Sequence, residues 1–232
     1  DKSNVMAPEG GDARVHRALD FLRRYNLGER LDLGAHVAVV GAGNTAMDCA
    51  RAALRVPGVK RVTVIYRRSR NEVPAFPEEY DEAVEDGVAF RFLTHPERFE
   101  PDGRLTCRVM ELGAPDENGR RRPLPTEETV SLDVDALITA TGETADAGVL
   151  AAIGVPLDDR GHPLVDPATG ETTRRGVFLI GDVQKGPSSI VSAIGDARRA
   201  TDEILRRENL RSHYGDKFWI NADPATITAR RS

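Results

Sequence analysis

The sequence predicts an α/β fold of the Rossmann type, a parallel sheet with an antiparallel meander laid beside it. Three observations carry that prediction. Residues 37 to 56, VAVVGAGNTAMDCARAALRV, read as an apolar strand, a glycine turn and a helix. Strand-like and helix-like segments then alternate up to residue 93, and such alternation builds a parallel sheet. From 97 to 132 the pattern changes to strands separated by turn residues, the signature of a meander.

Taken in order, residues 1 to 11 are polar and rich in Gly and Pro, an entry linker. Between 12 and 26, Val15, Ala18, Leu19, Leu22 and Tyr25 fall at helical spacing, with Asp12 as N-cap and Gly28 as stop, which predicts one amphipathic helix. Strand 37–40, helix 44–56, strand 61–66, a helix near 77–86 and strand 88–93 follow. LTCRVMEL at 105–112 and ETVSL at 128–132 supply the meander, and Arg120 to Arg122, between Gly119 and Pro123, read as a solvated turn. ALITATG at 136–142 is a buried strand ending in the small-residue turn Ala140-Thr141-Gly142. Val177 to Ile180 predict a further apolar strand running straight into Gly181-Asp182. A helix from near Pro187 would carry Ile190, Ile194, Ala197, Thr201 and Ile204 on one face. Residues 213 to 232 have no period, and Phe218, Trp219 and Ile220 read as a short anchor onto another surface.

Composition narrows the function. The chain has 232 residues, 40% of them hydrophobic, enough for a real core. Charged residues make up 30% with both signs interspersed, and the net charge of −5 gives no basic face for nucleic acid. No apolar run approaches the ~20 residues that span a bilayer, and no signal-peptide pattern opens the chain, so a cytoplasmic location with no membrane partner is expected. Cys49 and Cys107, more than fifty residues apart, form no C-x-x-C redox pair and no iron–sulfur or zinc ligand set, and Cys49 reads as a small buried residue of the first helix after the glycine turn. His16, His36, His95, His162 and His213 lack metal-ligand spacing, so neither a catalytic residue nor a metal ligand is assigned.

The glycine turn carries the chemistry. Gly41 permits the tight turn, Gly43 lets backbone approach a pyrophosphate, and Ala46 stands where helix packs on strand. The amides from Ala42 through Asn44 and Thr45 then face the phosphates at the helix start. A strand end selective for NAD carries Asp or Glu about 20 residues on, to accept from the ribose 2′-hydroxyl. Here Arg67 and Arg68 occupy that place, and paired guanidiniums attract a 2′-phosphate instead, so NADP(H) is the expected nucleotide. At Gly181-Asp182 an acidic residue beside a glycine suits a sugar or ribitol hydroxyl, although an ordinary turn fits those two residues equally well.

These blocks together resemble the NADPH-dependent flavoproteins related to the glutamate synthase small subunit and to the N-terminal half of dihydropyrimidine dehydrogenase. The family turn G-x-G-[ND]-T-A-x-D is matched by Gly41, Gly43, Asn44, Thr45, Ala46 and Asp48. Its basic pair is matched by Arg67 and Arg68, its Pro-Glu-Glu helix start by Pro77, Glu78 and Glu79, and its A-T-G turn by Ala140, Thr141 and Gly142. A narrower likeness, to iron–sulfur flavoproteins described as selenate reductase subunits, rests on LTCRVMELGAPDENGRRRPLP and HYGDKFWINADPATI.

The resemblance implies a three-layer FAD/NAD(P)-binding fold. Residues 1–34 would be a linker and helix on the FAD-domain side, 35–142 the NADP(H) domain, 143–213 the C-terminal half of an FAD domain and 214–232 a tail. It places Gly181 and Asp182 at the ribityl chain and flavin, with Ser189 and Ile190 near the isoalloxazine ring. Flavoproteins of this type begin their FAD domain with a G-x-G-x-x-G turn of its own, and no such second turn occurs here besides the one at Gly41, so the FAD domain is expected to be incomplete and the chain a fragment. Its partners would be an FAD-fingerprint segment and iron–sulfur cluster domains of a parent polypeptide, in which hydride passes from NADPH to FAD and electrons go on to the clusters. An alternative is a nucleotide-binding or interaction module with no catalysis of its own. A short-chain dehydrogenase is excluded, because Tyr66, Tyr80 and Tyr214 are followed four residues later by Arg70, Val84 and Phe218 rather than Lys.

Overall fold

The computed structural model describes residues 14–117, 119–142, 147–159, 161–186 and 188–210, which divide into two units at Gly142. The entry linker, the Asp12 cap, Pro187 and the 218–220 anchor lie outside the described residues.

The first unit is built around strand β2 (His36–Val40), whose residues are apolar after the first and buried from Val37 onward. A strand reads that way when both faces are covered. It lies centrally in a five-stranded sheet with β1 (Val15–Arg17), β3 (Arg61–Ile65), β4 (Ala89–Arg91) and β8 (Ala136–Thr139), in the order β1-β8-β2-β3-β4. Every pairing in it is parallel.

Side chains alternate across this sheet, so its two faces have different partners. Val37, Val39, Val62, Val64 and Ile138 face helices α1 (Ala18–Asn26), α2 (Asn44–Leu54) and α3 (Pro77–Glu85). Ala46, Ala50 and Ala53 are buried along α2, and their small size lets the helix lie close to the strands. Ala38, Val40, Ile65 and Leu137 face the other way, onto Phe99, Leu105 and Cys107 of an antiparallel sheet made by β5 (Thr94–Phe99), β6 (Arg104–Pro115) and β7 (Arg121–Asp133). Helices, parallel sheet and meander therefore form the three layers expected.

Several elements differ from the sequence reading. The helix expected over 12–26 begins only at Ala18, because Val15 to Arg17 pair with Leu137 to Thr139 as the edge strand. Val15 accordingly packs on the meander side, and Leu19, expected on the buried face, is exposed. This strand and helix share the sheet and helix layer of residues 36–142. The meander has a third strand, β5, and its last strand starts at Arg121, inside the expected turn. There Arg121 donates to the carbonyls of Leu112 and Gly113 across the hairpin. Pro123 and Pro125 lie opposite Leu112 and Met110, on the outermost strand of the meander.

In the second unit, α4 (Ala147–Ala152) has no counterpart in the sequence reading. The strand expected at 177–180 is reduced to one bridge, between Phe178 and Glu171, since no neighbouring strand pairs with it among the described residues. The helix arrives as α6 (Ile190–Arg207), following the short α5 (Asp182–Lys185). Its expected apolar face is not a core face: Ile190 is 79% exposed and Ile194 50%, whereas Asp196 and Ala200 are buried.

Candidate functional site

The C-terminal edge of the parallel sheet gathers the glycine turn, the A-T-G turn and the arginine pair. β2 sits where the chain order reverses, with β3 on one side and β8 on the other, the crevice in which open α/β sheets bind ligands. Gly41 follows β2 directly and donates its N–H to Ile65 O at 3.1 Å. Its φ is +123°, and a Cβ there would fall 2.2 Å from the Ala140 carbonyl oxygen. Only glycine fits, and the A-T-G turn is what presses against it. Ala140 in turn donates to Val40 O at 2.8 Å, which fixes the two turns side by side.

Gly43 meets a different condition. It caps α2 with extended backbone, and a Cβ there would meet no atom within 4 Å. The space in front of the helix start is open. Met47 donates back to Gly43 O, while the amides of Gly43, Asn44 and Thr45 find no acceptor among the described residues. Those donors, with the positive end of the helix dipole, suit a phosphate. Ala46 is fully buried in the helix–sheet core, as expected for the third position of the fingerprint.

Arg67 and Arg68 continue from the end of β3 and are each partly buried. Arg51, Arg55 and Arg108 all pair with carboxylates, but neither Arg67 nor Arg68 does so among the described residues. The Nε of Arg68 is buried without a hydrogen-bond partner. Arg68 lies against Tyr66, whose phenol burial pushes upward in pKa while the guanidiniums pull it back. Arg67 lies near His95, whose pKa is lowered by burial first and by the Arg67 charge second. Unpaired positive charge thus stands at the edge where the nucleotide's ribose would be read. A hollow of about 500 Å³ lies elsewhere, beside the opposite end of β2 and β8, but four carboxylates, Asp32, Asp102, Asp133 and Asp135, line it against one arginine, Arg14, a balance that disfavours phosphate.

Gly181 and Asp182 form a separate constellation in the second unit. Gly181 has φ +67° and ψ −146°, a region open to glycine alone. Its N–H donates to the buried Asp196 carboxylate at 3.2 Å, which Lys185 Nζ approaches at 2.6 Å and the Arg199 guanidinium also holds. The Lys185 hydrogen bond is the main reason the Asp196 pKa is lowered. Sequence reasoning missed Asp196, because a lone acid within a helix pattern looks solvent-facing. Asp182 is exposed and accepts from the Ser188 N–H at 3.1 Å and Oγ at 3.0 Å, while Ser189 Oγ caps α6 by accepting from Ser192 N–H. Ile180, Ile190, Val191 and Ile194 are exposed around this turn.

The sequence profile of the pyridine nucleotide-disulphide oxidoreductases matches residues 2–197. The chain belongs to that family. Its two cysteines do not provide the disulphide of the family's name: Cys49 and Cys107 are free, buried in separate clusters, and burial pushes each thiol up to about 12.

Within the family the chain is similar to YgfK of Escherichia coli K12, with 62% identity over 231 residues, covering 100% of this chain and 22% of that protein. It is also similar to the NADP(+)-dependent formate dehydrogenase subunit beta of Moorella thermoacetica, 42% identical over 89% of this chain and 30% of the relative. The NADPH glutamate synthase small chain of Halomonas elongata is 36% identical over 82% and 44%, respectively. The chain thus spans well under two thirds of the length of each of these relatives. The expected kinship with glutamate synthase small chains holds, whereas selenate is named in none of the three. Among solved structures, Mycobacterium tuberculosis FprA in complex with NADPH superposes with a TM-score of 0.70 at 19% identity, over 90% of this chain and 62% of that one, a likeness of fold. No described helix is long and apolar enough to cross a membrane.

Proposed function

We propose that this chain is the NADP(H)-binding part of a flavin-dependent oxidoreductase. The amides from Ala42 to Thr45 take the pyrophosphate, Arg67 and Arg68 the 2′-phosphate, and the turn Ala140-Thr141-Gly142 borders the dinucleotide. The observation that carries this reading is the pair of guanidiniums without a carboxylate partner among the described residues, on the same sheet edge as the open start of α2. Uncompensated positive charge beside free amides fits a polyanion. The names of the Moorella and Halomonas relatives, which specify NADP(+) and NADPH, support the same choice.

The second part of the proposal concerns FAD. Gly181, Asp182, Ser189 and Ile190 would face it, the first two at its polyol chain and the exposed isoleucine near its flat ring. Rigid backbone at Gly181, the exposed Asp182 carboxylate and the apolar surface of Ile180, Ile190 and Val191 fit one wall of such a site. When bound, the two cofactors supply hydride transfer, and the chain's own residues bind and orient them. Onward transfer to iron–sulfur domains of a longer polypeptide completes the proposal, and selenate is one acceptor to offer the reduced protein.

Titration of the protein with NADPH and NADH tests the first part. NADPH is expected to bind at least about tenfold more tightly, roughly 1.4 kcal/mol. The double variant R67A/R68A should lose that preference while keeping its circular dichroism spectrum. Equal affinities in the unmodified protein would overturn the reading.

A further inference from the structure

Asn44 belongs by position to the phosphate-binding turn, yet its side chain is engaged elsewhere. Its Oδ1 accepts the backbone N–H of Phe76 at 2.8 Å, and the neighbouring Ala42 carbonyl accepts the N–H of Ala75 at 3.2 Å. These two bonds fasten the end of the segment that begins at the arginine pair. Its beginning is fastened as well, since Leu93 N–H donates to Arg68 O and Tyr66 N–H to Arg91 O.

Between those ends the segment braces itself. Glu72 Oε2 accepts from the Ser69 N–H at 3.1 Å and from Ser69 Oγ, and Tyr66 OH donates to Glu72 O at 2.6 Å. Ser69 Oγ caps the single turn at Arg70–Glu72 by accepting from Asn71 N–H. Residues 67 to 76 therefore form a strap running from the arginines to the glycine turn. Of the two bonds closing it, the one to Asn44 is the shorter and the only one made by a side chain.

We propose that Asn44 is a positioning residue: its side-chain oxygen clamps the strap to the glycine turn and thereby sets the preference for a 2′-phosphate at Arg67 and Arg68. This rests on the NADP(H) reading above. The requirement is for an acceptor at Oδ1, which a carboxylate also supplies, although beside phosphates it carries an unfavourable charge.

The test compares the intact protein with Asn44→Ala and Asn44→Asp, titrating NADPH and NADH and following hydrogen–deuterium exchange in the peptide spanning 69 to 76. Asn44→Ala should lower the NADPH-to-NADH affinity ratio about fivefold, the worth of one net hydrogen bond, and speed exchange in that peptide. Asn44→Asp should weaken both nucleotides alike, through charge, while keeping the ratio and the slow exchange. Equal loss of both nucleotides in Asn44→Ala, or unchanged exchange, overturns the clamp. A lack of NADPH preference in the unmodified protein overturns the nucleotide reading and the specificity role with it, and the exchange rates then decide whether the tether itself exists.

Discussion

Gly41 and Gly43 stand two residues apart under opposite constraints. At Gly41 a methyl group would enter the Ala140 carbonyl at 2.2 Å on a backbone with φ +123°, so Gly41→Ala must displace the end of β8 or of β2. We expect it to cost at least ~2 kcal/mol of stability, read from urea unfolding. At Gly43 the methyl group points into open space on ordinary extended backbone. Gly43→Ala should therefore keep the unfolding midpoint and weaken NADPH binding, and a large drop in stability there would disprove the reading. The sequence pattern made both residues legible as a nucleotide turn. It did not show that one is locked by packing and the other faces open space, because that depends on Ala140, about a hundred residues away. Asn44 was legible as part of that turn, but the engagement of its side chain was hidden for the same reason, its partner being the Phe76 amide.

Among the elements, those that carry their own pattern were readable and those defined by a neighbour were not. β2, α2, β3 and α3 fall within two residues of expectation because apolar runs, turn glycines and a Pro at the helix start mark them. β1 was read as helix, since three residues show no period and only pairing with β8 makes them a strand. The predicted strand at 177–180 failed conversely, with the composition of a strand and a single bridge to satisfy it. α6 shows how periodicity misleads when a buried charge replaces an apolar contact. Asp196 is 3% exposed and ties the Gly181 amide to Lys185 and Arg199. Asp196→Ala would leave that amide without its acceptor, and we expect a loss of ~1–3 kcal/mol in the second unit. The exposed Asp182→Ala should cost less, and thermal unfolding of the two variants side by side decides the order.

For the molecule as a whole, three imidazoles link folding to pH. His16, His36 and His95 all have pKa values lowered from 6.5, with burial the leading cause in each. At His36 burial wins over an opposing contact: Nδ1 lies 2.7 Å from Asp133 O, a hydrogen bond that pulls the pKa back up, and Nε2 lies 2.9 Å from Thr63 Oγ1. Below 6.5 the unfolded chain takes up protons that these folded sites resist, so stability rises with pH in that window and falls as the solution is acidified. Glu171 and Glu203, held at about 2 by their arginine partners, add a second loss only as pH falls from 4.5 toward that value. Urea midpoints should thus decline already between about pH 7 and pH 5.5. A flat profile over that range would show that the imidazoles protonate without cost.

The outermost strand of the meander has one further consequence. Among the described residues no strand pairs with the outer side of β7, and a long edge of that kind is a natural template for another chain. Pro123 and Pro125 lack the amide donors that such a row needs, and Arg121 and Arg122 before them and Glu127 and Glu128 after them put charge along the same strand. Two copies meeting edge to edge would lack the continuous ladder needed to join. The strand whose Val130 and Leu132 help cover the back of the sheet is thereby also a guard against fibril growth.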